Sequence, residues 1–121
     1  LKAQNIASAA DKRGRRNTSS IRKIMMETIS GIKCSRAHMS KQDNEIFADH
    51  AHRDRPWIHD TCYGYLLMFR EYRHPGLMLK SLGISKPVRK LVYTMIKDHE
   101  VEMINFDRDA DPIEGFEVFD W

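Results

Sequence analysis

Apolar positions along this chain recur at intervals of three and four, the spacing that lines them up on one face of an α-helix. Ile21, Ile24, Met25, Thr28, Ile29 and Ile32 form the first such stripe. Ser19 or Ser20 stands where its N-cap belongs, and Gly31 weakens its end. A second helix starts at Ser40, where Ser40 and Asp43 make a capping-box-like pair ahead of Ile46 and Phe47. Pro56 suits the first turn of a third helix. There Ile58, Cys62, Tyr65, Phe69 and Tyr72 alternate steps of four and three, Trp57 and Leu66 widen the face, and His74-Pro75-Gly76 ends it. Residues 77–82 read as a short apolar helix stopped by Gly83. Ser85 caps the last helix, with Pro87 in its first turn. Its stripe of Val88, Leu91, Val92, Met95, Ile96, His99 and Met103 runs to about Ile104.

Alternation with a period of two is weak, and residues 115–121 are the best case for it. The pattern therefore predicts an all-α fold, a small helical bundle of four to five helices. The expected organisation is a basic N-terminal arm at 1–19, a helical domain at 20–104 and an acidic, aromatic tail at 105–121. With 121 residues and 41 % hydrophobic composition, the chain holds one modest core. Seven Met residues suit the filling of irregular core gaps or an adaptable interface. The chain begins with Leu, which suggests a fragment or a processed product. Neither a signal-peptide pattern nor a run of membrane-spanning length is present in it, so no membrane partner is expected. Two Cys residues do not make a disulfide framework, and a reducing intracellular compartment is the expected location.

Charge changes the picture more than composition does. Residues 1–40 carry nine Lys and Arg against two acids, whereas residues 81–121 carry five against nine. The formal net charge of +3 thus hides a strong asymmetry. A basic front attracts phosphate polyanions by Coulomb forces and counterion release. Lys12, Arg13, Arg15 and Arg16 form its densest patch, with Gly14 and polar neighbours that let the backbone follow a nucleic-acid strand. Thr18, Ser19 and Ser20 beside it are candidate phosphorylation sites.

Leu82-Gly83-Ile84-Ser85 resembles the turn of a helix-turn-helix DNA-binding unit. The resemblance implies that Leu82 closes the first helix, Gly83 allows the bend, Ile84 plugs the angle and Ser85 caps the recognition helix. It also implies that Lys86, Arg89 and Lys90 face nucleic acid while Val88, Leu91 and Val92 face the core. Leu79 and Arg89 depart from the unit's usual small and buried branched residues, and the same letters suit an ordinary bundle turn.

Cys34 and His38, then His59 and Cys62, are two ligand pairs with zinc-like spacing. A buried Cys and surface His are the other assignment, and no other cofactor is implied. His50, His52, Asp54, His59 and Asp60 resemble the His-Asp pairs of metal-dependent HD hydrolases, whose ligands come from well-separated helices. An exposed polar connection between helices explains these letters too. No phosphate-binding Gly loop or nucleophile elbow is present.

The tail mixes six acids with Ile113, Phe116, Val118, Phe119 and Trp121. It resembles the acidic, aromatic-ended docking tails of replication proteins such as single-stranded DNA-binding proteins. In that reading Phe116, Phe119 and Trp121 anchor a protein partner; in the other they fold back on the bundle. The expectation that follows is a non-enzymatic nucleic-acid-binding accessory factor that docks a protein through its tail. The alternatives are a helical interaction or assembly domain, which would include a homo-oligomer, and a metal-dependent hydrolase built on residues 50–60.

Overall fold

A computed structural model describes residues 26–51 and 53–121. The described chain is an α/β fold, a mixed four-stranded sheet with three helices. In chain order these are β1 (Gly31–Ser35), a 3-10 turn (Arg36–His38), α1 (Lys41–His50), β2 (Ile58–Thr61), β3 (Gly64–Met68), α2 (Pro75–Leu82), α3 (Lys86–His99) and β4 (Met103–Asp107). The strand order is β1-β4-β3-β2, with β1 parallel to β4 and the other pairs antiparallel. This overturns the expected all-α bundle, and the reason lies in particular residues.

The proposed third helix is a hairpin. Tyr65, Leu67 and Phe69 alternate into the core, but Leu66 and Met68 between them are apolar as well. A continuous apolar run hides the period of two, because helix and buried strand look alike over so few residues. The turn Cys62-Tyr63 carries none of the usual Asn-Gly signals. Gly64 is required for another reason: a Cβ there would overlap the carbonyl oxygen of Phe106 on the neighbouring strand.

The first stripe is also corrected where it is described. Residues 26–30 are neither helix nor strand, and Ile32 lies in β1. Ile21, Ile24 and Met25 lie outside the described residues. At the other end α3 stops at His99, because Glu100 adopts the left-handed conformation (φ 53°) and turns the chain. Met103 and Ile104, expected to finish that helix, belong to β4, as do Asn105, Phe106 and Asp107 at the expected start of the tail. Residues 115–121 form no strand.

Three expected helices are present: α1, α2, which starts at Pro75 and not at residue 77, and α3. α2 ends at Gly83 (φ 92°), where Ile84 N–H donates to the Leu79 carbonyl at 3.1 Å in a Schellman-type stop. Ser40 caps α1 with a true capping box: Asp43 N–H donates to Ser40 Oγ and Ser40 N–H to Asp43 Oδ2, both at 3.0 Å.

One face of the sheet carries Cys34, Phe106 and Tyr65 in one row and Ile104, Leu67 and Ile58 in the next. Phe47 of α1, Leu79 of α2 and Val88, Leu91, Val92 and Met95 of α3 bury against that face in one core. The opposite face carries the row Lys33, Asn105, Leu66 and His59.

Asp43 joins the helices to one another. It is buried, and besides Ser40 N–H it accepts Ser85 N–H on Oδ1 at 2.8 Å and the Ser85 hydroxyl on Oδ2 at 2.6 Å. Ser85 therefore caps α3 only through Asp43, and one carboxylate serves the amino ends of α1 and α3.

Replacing Asp43 by Ala leaves three part-buried donors without this acceptor, and hydrogen bonds to a charged group are worth about 1.5–3 kcal/mol each. The expected loss is about 3 kcal/mol or more for Asp43→Ala, against about 1 kcal/mol for Ser40→Ala. Denaturant midpoints measure both, and equal small losses would show that the carboxylate does not join the two helices.

Candidate nucleic-acid interface

The α2-turn-α3 unit has the internal packing that the resemblance implied. Ile84 is buried in the bend, and Val88, Leu91 and Val92 are wholly buried. Lys86 and Lys90 are exposed one turn apart. Tyr93 and Lys97 continue the same face at helical spacing, with Tyr93 61 % exposed and Lys97 Nζ 5.8 Å from its ring centre. Sequence reasoning missed these two residues, although their spacing from Lys90 carried the signal. Arg89 is held differently: it is half-buried, and its Nε donates to the Ile84 carbonyl at 3.1 Å. α3 has no acid before Asp98, and its first turn carries none. Lys12, Arg13, Arg15 and Arg16 lie outside the described residues.

The zinc quartet is not brought together. Cys34 sits on β1 and His59 on β2, with β4 and β3 between them, a separation of about 14 Å at the usual strand spacing. Cys34 faces the helices, whereas His59 lies in the row on the other face. Burial pushes the Cys34 thiol up to about 12, away from the thiolate that zinc needs. Cys62 is exposed in the hairpin turn. Among the described residues, no three His, Cys, Asp or Glu side chains group to hold a metal ion.

The expected hydrolase cluster is likewise dispersed. His50 closes α1 and bonds Asp54 through Nδ1 at 2.8 Å, and that bond, with help from the Arg55 charge, holds the Asp54 carboxyl below its usual range. Arg53 pairs with Asp49 at 2.9 Å. His59 and Asp60 are consecutive on β2 and so point to opposite faces. His52 is outside the described residues.

His38 does something else. Its Nε2 accepts Ile113 N–H at 2.8 Å, so its proton sits on Nδ1, which donates to the Glu117 carbonyl at 2.9 Å. The ring is buried and meets Phe116 edge-on at 6.4 Å. Around it the tail is tied to the last residue of β1 and to the segment that leads from it to α1. Ser35 N–H donates to the Asp111 carbonyl at 3.1 Å, Phe119 N–H to the Ala37 carbonyl at 2.7 Å and Trp121 Nε1 to the Met39 carbonyl at 2.8 Å. Ile113 and Phe116 pack on the core, Phe119 is half-buried, and Trp121 is 44 % exposed under the Arg36 guanidinium.

No described helix is long and apolar enough to cross a membrane. The model of a family described as "Family of unknown function (DUF5983) C-terminal domain" matches residues 31–121, the whole span from β1 through the tail. No curated protein and no solved structure matches the chain.

Two outcomes are expected. In folded protein a thiol-alkylating reagent modifies Cys62 and spares Cys34, and mass mapping of the alkylated peptides reads this directly; equal labelling would contradict the burial of Cys34. Ending the chain after Pro112 removes the partners of His38 and the packing of Phe116, an expected cost of about 2 kcal/mol or more. Thermal unfolding should then fall by roughly 8 °C or more, and an unchanged midpoint would show that the tail adds no stability.

Proposed function

As this chain belongs to the DUF5983 family through its C-terminal domain, we propose from its geometry that it is a non-catalytic nucleic-acid-binding module that presents α3 to the phosphate backbone. The observation that supports this reading is the exposed stripe of Lys86, Lys90, Tyr93 and Lys97 on a helix without an acid before Asp98. Positive charge early in a helix opposes the macrodipole, so Lys86 and Lys90 do not serve the helix's own stability. An anionic partner turns that cost into attraction, and Tyr93 adds a ring on which a base or sugar can rest. Lys12, Arg13, Arg15 and Arg16 would supply further contacts that are indifferent to base sequence. Docking of a protein by the tail is a second reading, favoured by the exposure of Val118 (50 %) and Trp121 (44 %).

The test is fluorescence anisotropy with labelled single- and double-stranded oligonucleotides across a salt series. The double variant Lys86→Glu with Lys90→Glu, at exposed positions, should weaken binding and reduce the slope of log affinity against log salt by about two. An unchanged slope with retained binding would remove α3 from the interface. Absence of any salt-dependent binding by the parent chain would overturn the reading.

A further inference from the structure

A cleft lies beyond the carboxyl ends of the parallel strands β1 and β4. It has a volume of about 120 Å³ and is lined by Ser35, Arg36, Ala37, Arg108, Phe119 and Trp121. That is well above the ~10–15 Å³ needed to hold one water, so the cleft has room for one compact polar group. Crevices outside the carboxyl ends of parallel strands are where open α/β sheets place ligands.

Two arginines, Arg36 and Arg108, line this cleft, and each guanidinium is braced by a ring. Arg36 lies 4.7 Å from the Trp121 ring centre and Arg108 lies 4.9 Å from that of Tyr63. Stacking occupies the flat face of a guanidinium and leaves its N–H edges for a planar fork onto an oxyanion. Among the described residues Arg36 has no carboxylate within ion-pair distance, although it is half-buried. Arg108 has a weak partner, Asp109, at 3.8 Å, with both side chains more than half exposed. Half-buried positive charge without a counter-charge is costly, and an anionic ligand removes that cost.

We propose that this cleft binds one compact phosphate group, of the kind carried by a phosphomonoester, between Arg36 and Arg108. Two guanidinium groups match the double charge of a phosphomonoester better than the single charge of a carboxylate. The tail also carries Asp109, Asp111, Glu117 and Asp120, none of which lines the cleft. Acids on the same segment repel an extended polyanion while the cleft still admits a single terminal group. The site is separate from the α3 stripe and does not depend on it. Phe119 and Trp121 form its wall, so the tail both completes the site and reports its occupancy.

The experiment follows the arginine Nε–H resonances and the Trp121 indole N–H by nuclear magnetic resonance at fixed ionic strength. Inorganic phosphate, phenyl phosphate and acetate are titrated in turn. Saturable shifts confined to Arg36, Arg108 and Trp121 are expected with both phosphates, and acetate should bind at least about tenfold more weakly. Arg36→Gln and Arg108→Gln should each weaken phosphate binding about tenfold. The Arg108 guanidinium stacks on Tyr63 and not on Trp121, so Arg108→Gln remains informative if loss of Arg36 loosens the tail. The Lys86→Glu, Lys90→Glu protein should keep the full response, which separates this proposal from the nucleic-acid reading. A 5′-phosphorylated oligonucleotide that binds better than its 5′-hydroxyl form through Arg108 would identify a strand end as the source of the group. Equal binding of the two, with phenyl phosphate still bound, would identify a small phosphomonoester. Unsaturable shifts, acetate binding as tightly as phosphate, or indifference to both substitutions would each overturn the proposal.

Discussion

The helical layer of this domain depends on one buried carboxylate. Asp43 accepts backbone N–H groups from Ser40 and Ser85 and the Ser85 hydroxyl, so the amino ends of α1 and α3 meet at a single negative charge. A buried carboxylate without donors would be expensive, and helix amino ends without acceptors would leave orphan N–H groups; each cost cancels the other. The pairing fixes α1 relative to α3 across a sequence separation of forty-two residues. With those two helices set, Phe47 and Val88, Leu91 and Val92 press on the same face of the sheet. The orientation of α3, and therefore of its exposed Lys and Tyr side chains, follows from that packing.

The tail has a comparable anchor in His38. A neutral imidazole is both donor and acceptor, and here each nitrogen is used, one towards Ile113 and the other towards Glu117. Three further tail bonds land on Ser35, Ala37 and Met39, close to His38 in the chain. The last residues are thereby laid across the end of β1, where they wall the cleft between Arg36 and Arg108. Acidic residues can lie on this surface because their backbone is bound while their side chains remain in water.

Two groups of residues that looked chemically alike in sequence have different fates. Cys34 and His38 are buried, the first as a core hydrophobe and the second as a hydrogen-bond hub. His59 and Cys62, on the far strand and in its turn, are exposed. Ligand-like spacing along a chain says that residues can meet, and only the strand order says that these do not.

The sequence by itself determined the local features whose physics is local. The Ser40–Asp43 capping box, the Gly83 stop, the Pro in the first turn of α3, the buried stripe of α3 and the exposed Lys86 and Lys90 all follow from neighbours a few residues apart. The tertiary structure decided whatever depended on distant partners. Residues 64–68 became a strand because Phe106 and Ile104 lie beside them, and Gly64 lets those backbones meet. Met103 to Asp107 became the parallel partner of β1 because Glu100 turned the chain after α3, which no periodicity foretold. Asp43 reached Ser85, and Arg36 came to share a cleft with Arg108, for the same reason. Helical pattern is written in one segment, whereas a sheet row or a binding cleft exists only once several segments have been brought together.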